Sequence, residues 1–166
     1  FPIRAGAWRD DAKGPMQVVS GGFGRERVHF QAPEAARLAS EMDRFLAWFG
    51  TESVVDPILQ AGVAHLWFLT LHPFDDGNGR IARALTDLRL SRLDGGRVRF
   101  YSLSAAILAE RKEYYRILET TQSGSLDITP WLSWFLGILE RAMERAEDEV
   151  GAVLKRHAFW RNHADT

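Results

Sequence analysis

Leu71-His72-Pro73-Phe74-Asp75-Asp76-Gly77-Asn78-Gly79-Arg80-Ile81-Ala82-Arg83 joins two apolar stretches through a short polar loop. The run Val63 to Leu71 leads into it. His72-Pro73 stops that run, because proline disfavours a helical residue before it and has no amide hydrogen to give. Beyond the loop, Ile81, Leu85, Leu88 and Leu93 recur at helical spacing, with Arg80 and Arg83 on another face. The stretch reads as helix, tight glycine loop, helix N-terminus.

That arrangement suits a polyphosphate. Unpaired amides and the positive end of the helix dipole converge at a helix N-terminus and form an anion site. Gly77 and Gly79 allow positive φ and close backbone approach. Arg80 and Arg83 add two permanently charged forks that match phosphate geometry. Asp76 is a hard oxygen ligand, suited to Mg²⁺ arriving with a nucleotide. His72 is the nearby side chain that titrates near neutrality, which makes it the natural general base.

Blander readings exist for each part. Asn-Gly is also a two-residue hairpin signal, but a hairpin needs alternating strands, and both flanks here have helical period. An arginine pair on a helix is usually a solvated face, and a lone histidine is usually structural. The combination of His, Asp, Gly-Asn-Gly and two Arg within a dozen residues favours function. The Walker phosphate loop is absent.

Residues 72–83 resemble the Fic family signature, HxFx(D/E)GNGRxxR, at every fixed position. The likeness extends more loosely from about Arg4 to about Leu139. Fic proteins are mostly adenylyltransferases that move AMP from ATP onto a protein hydroxyl. The resemblance implies an all-α, Fic-type helical bundle with a small β-hairpin flap, using ATP as co-substrate with Mg²⁺. It implies that Asn78 and the loop amides hold the α-phosphate region, Arg80 the β-phosphate and Arg83 the γ-phosphate. Asp76 would bind the metal, and Phe74 would pin the loop to the core. His72 would take the proton from a Ser, Thr or Tyr hydroxyl of a target protein.

The 166 residues suffice for one domain with a proper core. Apolar residues make up 46%, charged residues 26%, and the net charge is −1, as in a soluble globular chain. That balance argues against a nucleic-acid partner, which calls for a basic excess. With no cysteine there is no disulfide framework, thiol catalysis or zinc–thiolate site, and a cytoplasmic location is expected. No signal peptide is visible, and no apolar run is long enough to span a bilayer. The chain starts at Phe1 rather than Met, so a fragment of a longer chain is expected. It is taken as a single domain over 1–166: an arm and flap over 1–32, a helical core over 33–155, and a tail over 156–166.

Along the chain, Met16 to Val19 and Arg27 to Phe30 read as two strands joined by a glycine-rich turn. By resemblance this is the flap, and Arg27, Val28, His29 and Phe30 would receive an extended target segment by strand addition. Pro33 to Phe49 reads as an amphipathic helix with Ala35, Leu38, Met42, Phe45, Leu46 and Phe49 on its apolar side, ended by Gly50. Asp56-Pro57 reads as the cap and first residue of a helix to Leu71 that is apolar nearly all round, hence buried. His65, seven residues before His72, shares a helical face with it and is expected to be a core histidine. The helix from Gly79 to Leu93 should end at Asp94-Gly95-Gly96, with Asp87 positioned to hold Arg83. A connector from Arg97 to Tyr101 precedes a helix capped by Ser102 or Ser104 and running to about Thr121, with Leu108 among the residues along it. By resemblance this region encloses adenine, making Tyr114 and Tyr115 candidates for the base pocket. Thr129-Pro130 reads as a cap before a helix to about Leu154 whose apolar side includes Met143, followed by a basic, aromatic end.

Rival functions are a different transfer at the same site (UMP, phosphocholine, or removal of AMP), a metallohydrolase using His65, His72, Asp75 and Asp76, and a non-catalytic regulatory module. Many Fic proteins also carry an inhibitory helix, (S/T)xxxE(G/N), whose glutamate pairs with the second arginine, here Arg83. None of the eleven glutamates is followed by Gly or Asn. Such a helix is therefore expected upstream of Phe1, or in trans from a separate protein, unless the enzyme is unrestrained.

Overall fold

A computed structural model describes residues 3–4, 6–22, 24–51, 55–93 and 99–163. Two strands, β1 (Gln17–Ser20) and β2 (Arg27–Gln31), precede a 3-10 turn (Ala35–Arg37). Six α-helices follow: α1 (Leu38–Gly50), α2 (Pro57–Leu71), α3 (Asn78–Leu93), α4 (Leu103–Ala109), α5 (Arg111–Ser123) and α6 (Thr129–Asn162). The expected helical bundle with a hairpin is what forms.

The central element is α2. Its sequence has apolar side chains on every face, and nine of its residues are buried. Asp56 accepts hydrogen bonds from the amides of Ile58 and Leu59 while Pro57 opens the helix, as the sequence predicts. Against α2 lie α1, α3 and α6, with α3 making the most extensive contact. Gly62 lets α6 approach closely: a Cβ there would sit 2.9 Å from Phe135 Cδ1 and 3.1 Å from Leu132 Cδ2. The carbonyl of Gly62 accepts the indole hydrogen of Trp131 at 2.8 Å, so the same glycine also pins the base of α6.

Several expected details differ. The buried face of α3 is Asn78, Ala82, Thr86, Arg89 and Leu90, while Leu88 and Leu93 are exposed. Small and polar residues face α2 because the close packing leaves little room. Leu46, Leu108 and Met143 also face outward rather than into the core. The single helix expected over 102–121 is two, because the backbone leaves helical geometry at Glu110 (φ −107°, ψ 29°). Ser102 caps α4 by accepting from the Ala105 amide. Thr129 is the first residue of α6, not its cap, and the Asp127 carboxylate accepts its amide hydrogen at 2.9 Å. That helix continues to Asn162, so residues 156–162, expected as tail, are helical. The expected stop at residues 94–96 lies outside the described residues, as do the first two residues of the 97–101 connector. Among the described residues, no helix is long and apolar enough to cross a membrane.

The hairpin pairs antiparallel, with Val18 opposite Phe30 and Val19 opposite Val28, leaving a bulge between Val18 and Val19. Two strands alone are marginal, and the hairpin leans on α5 through β2.

The Gly62 contact yields a stability test. Gly62→Ala should destabilise the fold by about 1–3 kcal/mol through overpacking against Phe135, despite alanine's better helix propensity. Urea unfolding followed by tryptophan fluorescence measures it.

Candidate active site

Helix α2 ends at Leu71, and His72 takes the left-handed conformation, φ 47°, ψ 57°. It is the sole non-glycine residue with positive φ among those described. Proline at 73 disfavours a helical His72, and here the chain resolves that conflict by turning left-handed rather than extended. The turn takes His72 off the helix, so it does not share a face with His65 as the seven-residue spacing suggested. Its amide still closes on Phe68 O at 3.0 Å.

The half-buried imidazole has one internal partner, Leu69 O, 3.4 Å from Nδ1. A carbonyl only accepts, so Nδ1 carries the proton and Nε2 keeps its lone pair. Burial lowers the His72 pKa below its ordinary value, the Leu69 carbonyl works against that shift, and the Arg9 charge adds to it. His72 is therefore a neutral base at physiological pH.

The loop from 73 to 77 is built rather than loose. Asn78, 3% exposed, clamps it with both ends of its amide. Its Oδ1 accepts the Phe74 amide at 3.0 Å, and its Nδ2 donates to Phe74 O at 2.7 Å. Its side chain is thus held against the loop backbone. Phe74 packs on Trp8 and Phe68, with ring centroids 5.1 and 6.4 Å away, consistent with an anchor. Gly77 has φ +87°, where a side chain would be strained. Asp76 accepts from the Gly77 amide at 2.6 Å and pairs with Arg80 at 3.0 Å, and both side chains are exposed. Asp75 accepts the Arg4 amide at 3.0 Å.

At the start of α3, the amides of Asn78, Gly79 and Arg80 are first-turn donors that the helix itself leaves unpaired. The Arg83 guanidinium folds back toward them: a Cβ on Gly79 would lie 3.6 Å from Arg83 Nη1. Among the described residues Arg83 makes no hydrogen bond or ion pair. It does not hold Asp87 by such a bond. Burial raises the Asp87 carboxyl pKa, and Arg99 and Arg83 offset only part of that.

A cavity of about 930 Å³ opens over this helix end. Its walls bring His72, Gly79 and Arg83 together with β2 (Arg27, His29, Phe30) and with α5 (including Tyr114 and Tyr115). Gly77, Asn78, Arg80, Asp76 and Val28 do not line it. Arg111 and Lys112, not expected from the sequence, add positive charge to the α5 wall. Tyr115 is half exposed there with the Arg111 guanidinium 5.6 Å from its ring centroid.

Tyr114 is held by a buried relay. Thr86 donates to Ala82 O at 2.8 Å, so its oxygen accepts from His65 Nδ1 at 3.0 Å. His65 Nε2 then accepts from the Tyr114 hydroxyl at 3.0 Å. His65 is fully buried, and burial, aided by the Arg83 charge, pushes its pKa down to about 3. With both nitrogens engaged, His65 has none to give a metal, which removes the metallohydrolase quartet. Among the described residues, no group of three or more His, Cys, Asp or Glu is placed to hold a metal ion.

Two anchors escaped the sequence reading. Glu119 on α5 receives Arg27 at 2.6 Å and His29 Nδ1 at 2.8 Å, tying the hairpin to the cavity wall. His29 Nε2 lies 2.5 Å from Ser20 Oγ across the strands. Arg9, in an arm without periodicity, is buried beneath the His72 turn. The only sequence signal for it was a cation beside the acidic pair Asp10-Asp11.

The model of the Fic/DOC family matches residues 2–90, more than half of the chain and all of the loop just described. The chain belongs to the Fic/DOC family. Named relatives include a protein adenylyltransferase Fic from Culex quinquefasciatus, 27% identical over 92% of this chain and 34% of that protein. The Drosophila melanogaster protein adenylyltransferase Fic is 30% identical over 79% of this chain and 26% of that protein. The chain thus spans about a third or less of these curated relatives. Among solved structures, a Fic family protein from Desulfovibrio desulfuricans G20 superposes with a TM-score of 0.70 at 26% identity, covering 88% of this chain and 42% of that one. Fic-1 from C. elegans gives a TM-score of 0.62 at 27% identity, covering 90% and 38%.

The buried histidine makes stability depend on pH. Unfolded, His65 binds a proton below about pH 6.5. Folded, it does not do so until about pH 3. Stability should therefore fall on acidification through this window, by up to about 1.4 kcal/mol per pH unit from this residue. Urea unfolding at several pH values should show a shallower acid slope for His65→Gln than for the wild type.

Proposed function

We propose that this Fic domain is a protein adenylyltransferase. It moves AMP from ATP onto a Ser, Thr or Tyr hydroxyl of a target protein. The observation that carries the reading is the placement of His72 in one cavity with Arg83 and the first turn of α3. The relatives from Culex quinquefasciatus and Drosophila melanogaster are protein adenylyltransferases by name, in agreement with it.

In the reaction, the target hydroxyl attacks the α-phosphorus of ATP while His72 Nε2 takes its proton. The new bond joins the hydroxyl oxygen to phosphorus. The bond from the α-phosphorus to the bridging oxygen breaks, and pyrophosphate leaves. The amides of Gly79 and Arg80 and the positive end of α3 receive the phosphate charge, with Arg83 on the γ-phosphate and Arg80 on the β-phosphate. Arg80 must first release Asp76, an exposed pair that costs little to break. The base lies toward the α5 wall, where Tyr115 offers a partly exposed ring face and Tyr114 a fixed one.

Mg²⁺ fits this site through Asp76. Its carboxylate is exposed beside the phosphate-binding turn, and Mg²⁺ on a nucleotide needs only one or two protein carboxylates besides phosphates and waters. When bound, the ion would neutralise charge on the departing pyrophosphate. An extended target segment would pair with the hairpin near residues 27–30, presenting its hydroxyl to His72. The Arg83 guanidinium, without an ion pair among the described residues, is also the group that a restraining glutamate from another segment or protein would occupy.

His72→Ala should abolish transfer to a target protein and leave nucleotide affinity within about threefold, since the imidazole moves a proton and holds no phosphate. Radiolabelled AMP incorporation and calorimetry together check this, and near-normal turnover would refute the assignment. Arg83→Ala should weaken ATP more than ADP, because only ATP has a γ-phosphate. Equal losses by calorimetry would remove Arg83 from that role.

A further inference from the structure

We propose that Arg9 is the positioning residue for the general base: its guanidinium and amide hold the left-handed turn that aims His72 into the cavity. The inference rests on the reading of His72 as that base. Arg9 Nε donates to His72 O at 2.8 Å, and Nη2 to Leu71 O at 3.4 Å and Pro33 O at 2.5 Å. The Arg9 backbone amide donates to Pro73 O at 2.9 Å. Three consecutive carbonyls, those of Leu71, His72 and Pro73, thus end on one arm residue. Those of Leu71 and His72 are groups that the end of a helix leaves without intrahelical partners, and a cation there also complements the dipole.

The geometry needs arginine. Nη1 meets Asp11 Oδ1 at 2.9 Å, while Asp11 Oδ2 accepts the Ala35 amide at 2.6 Å. The planar fork therefore spans the end of α2, the residue before the 3-10 turn's cap, and a carboxylate that is itself tied down. A lysine ammonium presents one point charge and cannot reach these directions together. The side chain is 1% exposed, so no solvent substitutes for a lost contact. A left-handed histidine persists only where its surroundings overdetermine it, and Arg9 supplies those constraints from a segment remote in sequence. In this turn Nδ1 lies 3.4 Å from Leu69 O, so by holding the turn Arg9 also favours the ring nitrogen that is proton-free.

The test compares wild type, Arg9→Met and Arg9→Lys in two independent readouts. The first is the ¹⁵N spectrum of the His72 imidazole, assigned by its loss in His72→Ala. Wild type should show the Nδ1-protonated tautomer, Arg9→Met a mixture of tautomers, and Arg9→Lys an intermediate pattern. The second is steady-state AMP transfer to a target protein. Arg9→Met should lose on the order of 10–100-fold in kcat, with KM for ATP changed less than about threefold and partial rescue in Arg9→Lys. A folded Arg9→Met with the wild-type tautomer and kcat would overturn the proposal. So would a global loss of fold in both variants, which would make Arg9 a structural residue only. Failure of the underlying reading looks different: His72→Ala would keep its turnover, while the tautomer result would still report on the Arg9 contact.

Discussion

The left-handed turn at His72 is the constraint on which the site depends. A helix apolar on all faces must be buried, and a buried helix cannot carry a polar reacting group along its length without a partner. His65 shows the consequence, sealed between Thr86 and Tyr114 with its charge suppressed. His72 avoids it by being the first residue past the helix end. Leaving the helix in αL keeps the backbone under α2 while moving the side chain to the mouth of the cavity. The same turn delivers the chain into the loop that starts α3, so His72 and the first turn of α3 are separated by one short clamped segment.

Two histidines seven residues apart thus take opposite fates, and the difference is environmental. Both are pushed toward the neutral form by burial. For His65 both nitrogens are bonded and the neutrality serves packing. For His72, among the described residues, one nitrogen is bonded and the other is not, and the neutrality leaves a lone pair on it. Arg83 faces the same cavity and lends its field to the His65–Tyr114 relay as well. The Arg83 cation therefore biases the core wall beneath while it faces the cavity above.

The helices, the loop and the hairpin were legible because each had a local cause. Asp56-Pro57 dictates a start, His72-Pro73 a stop, and the glycine-rich turn between valine-rich segments a hairpin. What was not legible depends on partners far along the chain. The apolar period of α3 pointed at Leu88 and Leu93, yet the packed face is Ala82, Thr86 and Leu90, because close approach to α2 selects small side chains. The break at Glu110 has no proline or glycine to announce it. Asn78 carries a family motif position, but its clamp on Phe74 is set by the loop's fold. Arg9 and Glu119 sit in unremarkable sequence and acquire their roles only from residues 63 and 90 positions away.

Those long-range anchors share a logic. Neither the hairpin nor the His72 turn is stable on its own terms: one is a two-stranded ribbon, the other a strained backbone conformation. Each is held by a charged side chain supplied from a distant element, Glu119 for the ribbon and Arg9 for the turn. The two devices differ in what surrounds them. The Glu119 contacts are partly exposed, so water competes with them. The Arg9 contacts are sealed, and breaking them would leave buried carbonyls without donors. The tie that holds the hairpin is thus open to competition from water, whereas the tie that holds the His72 turn is closed to it.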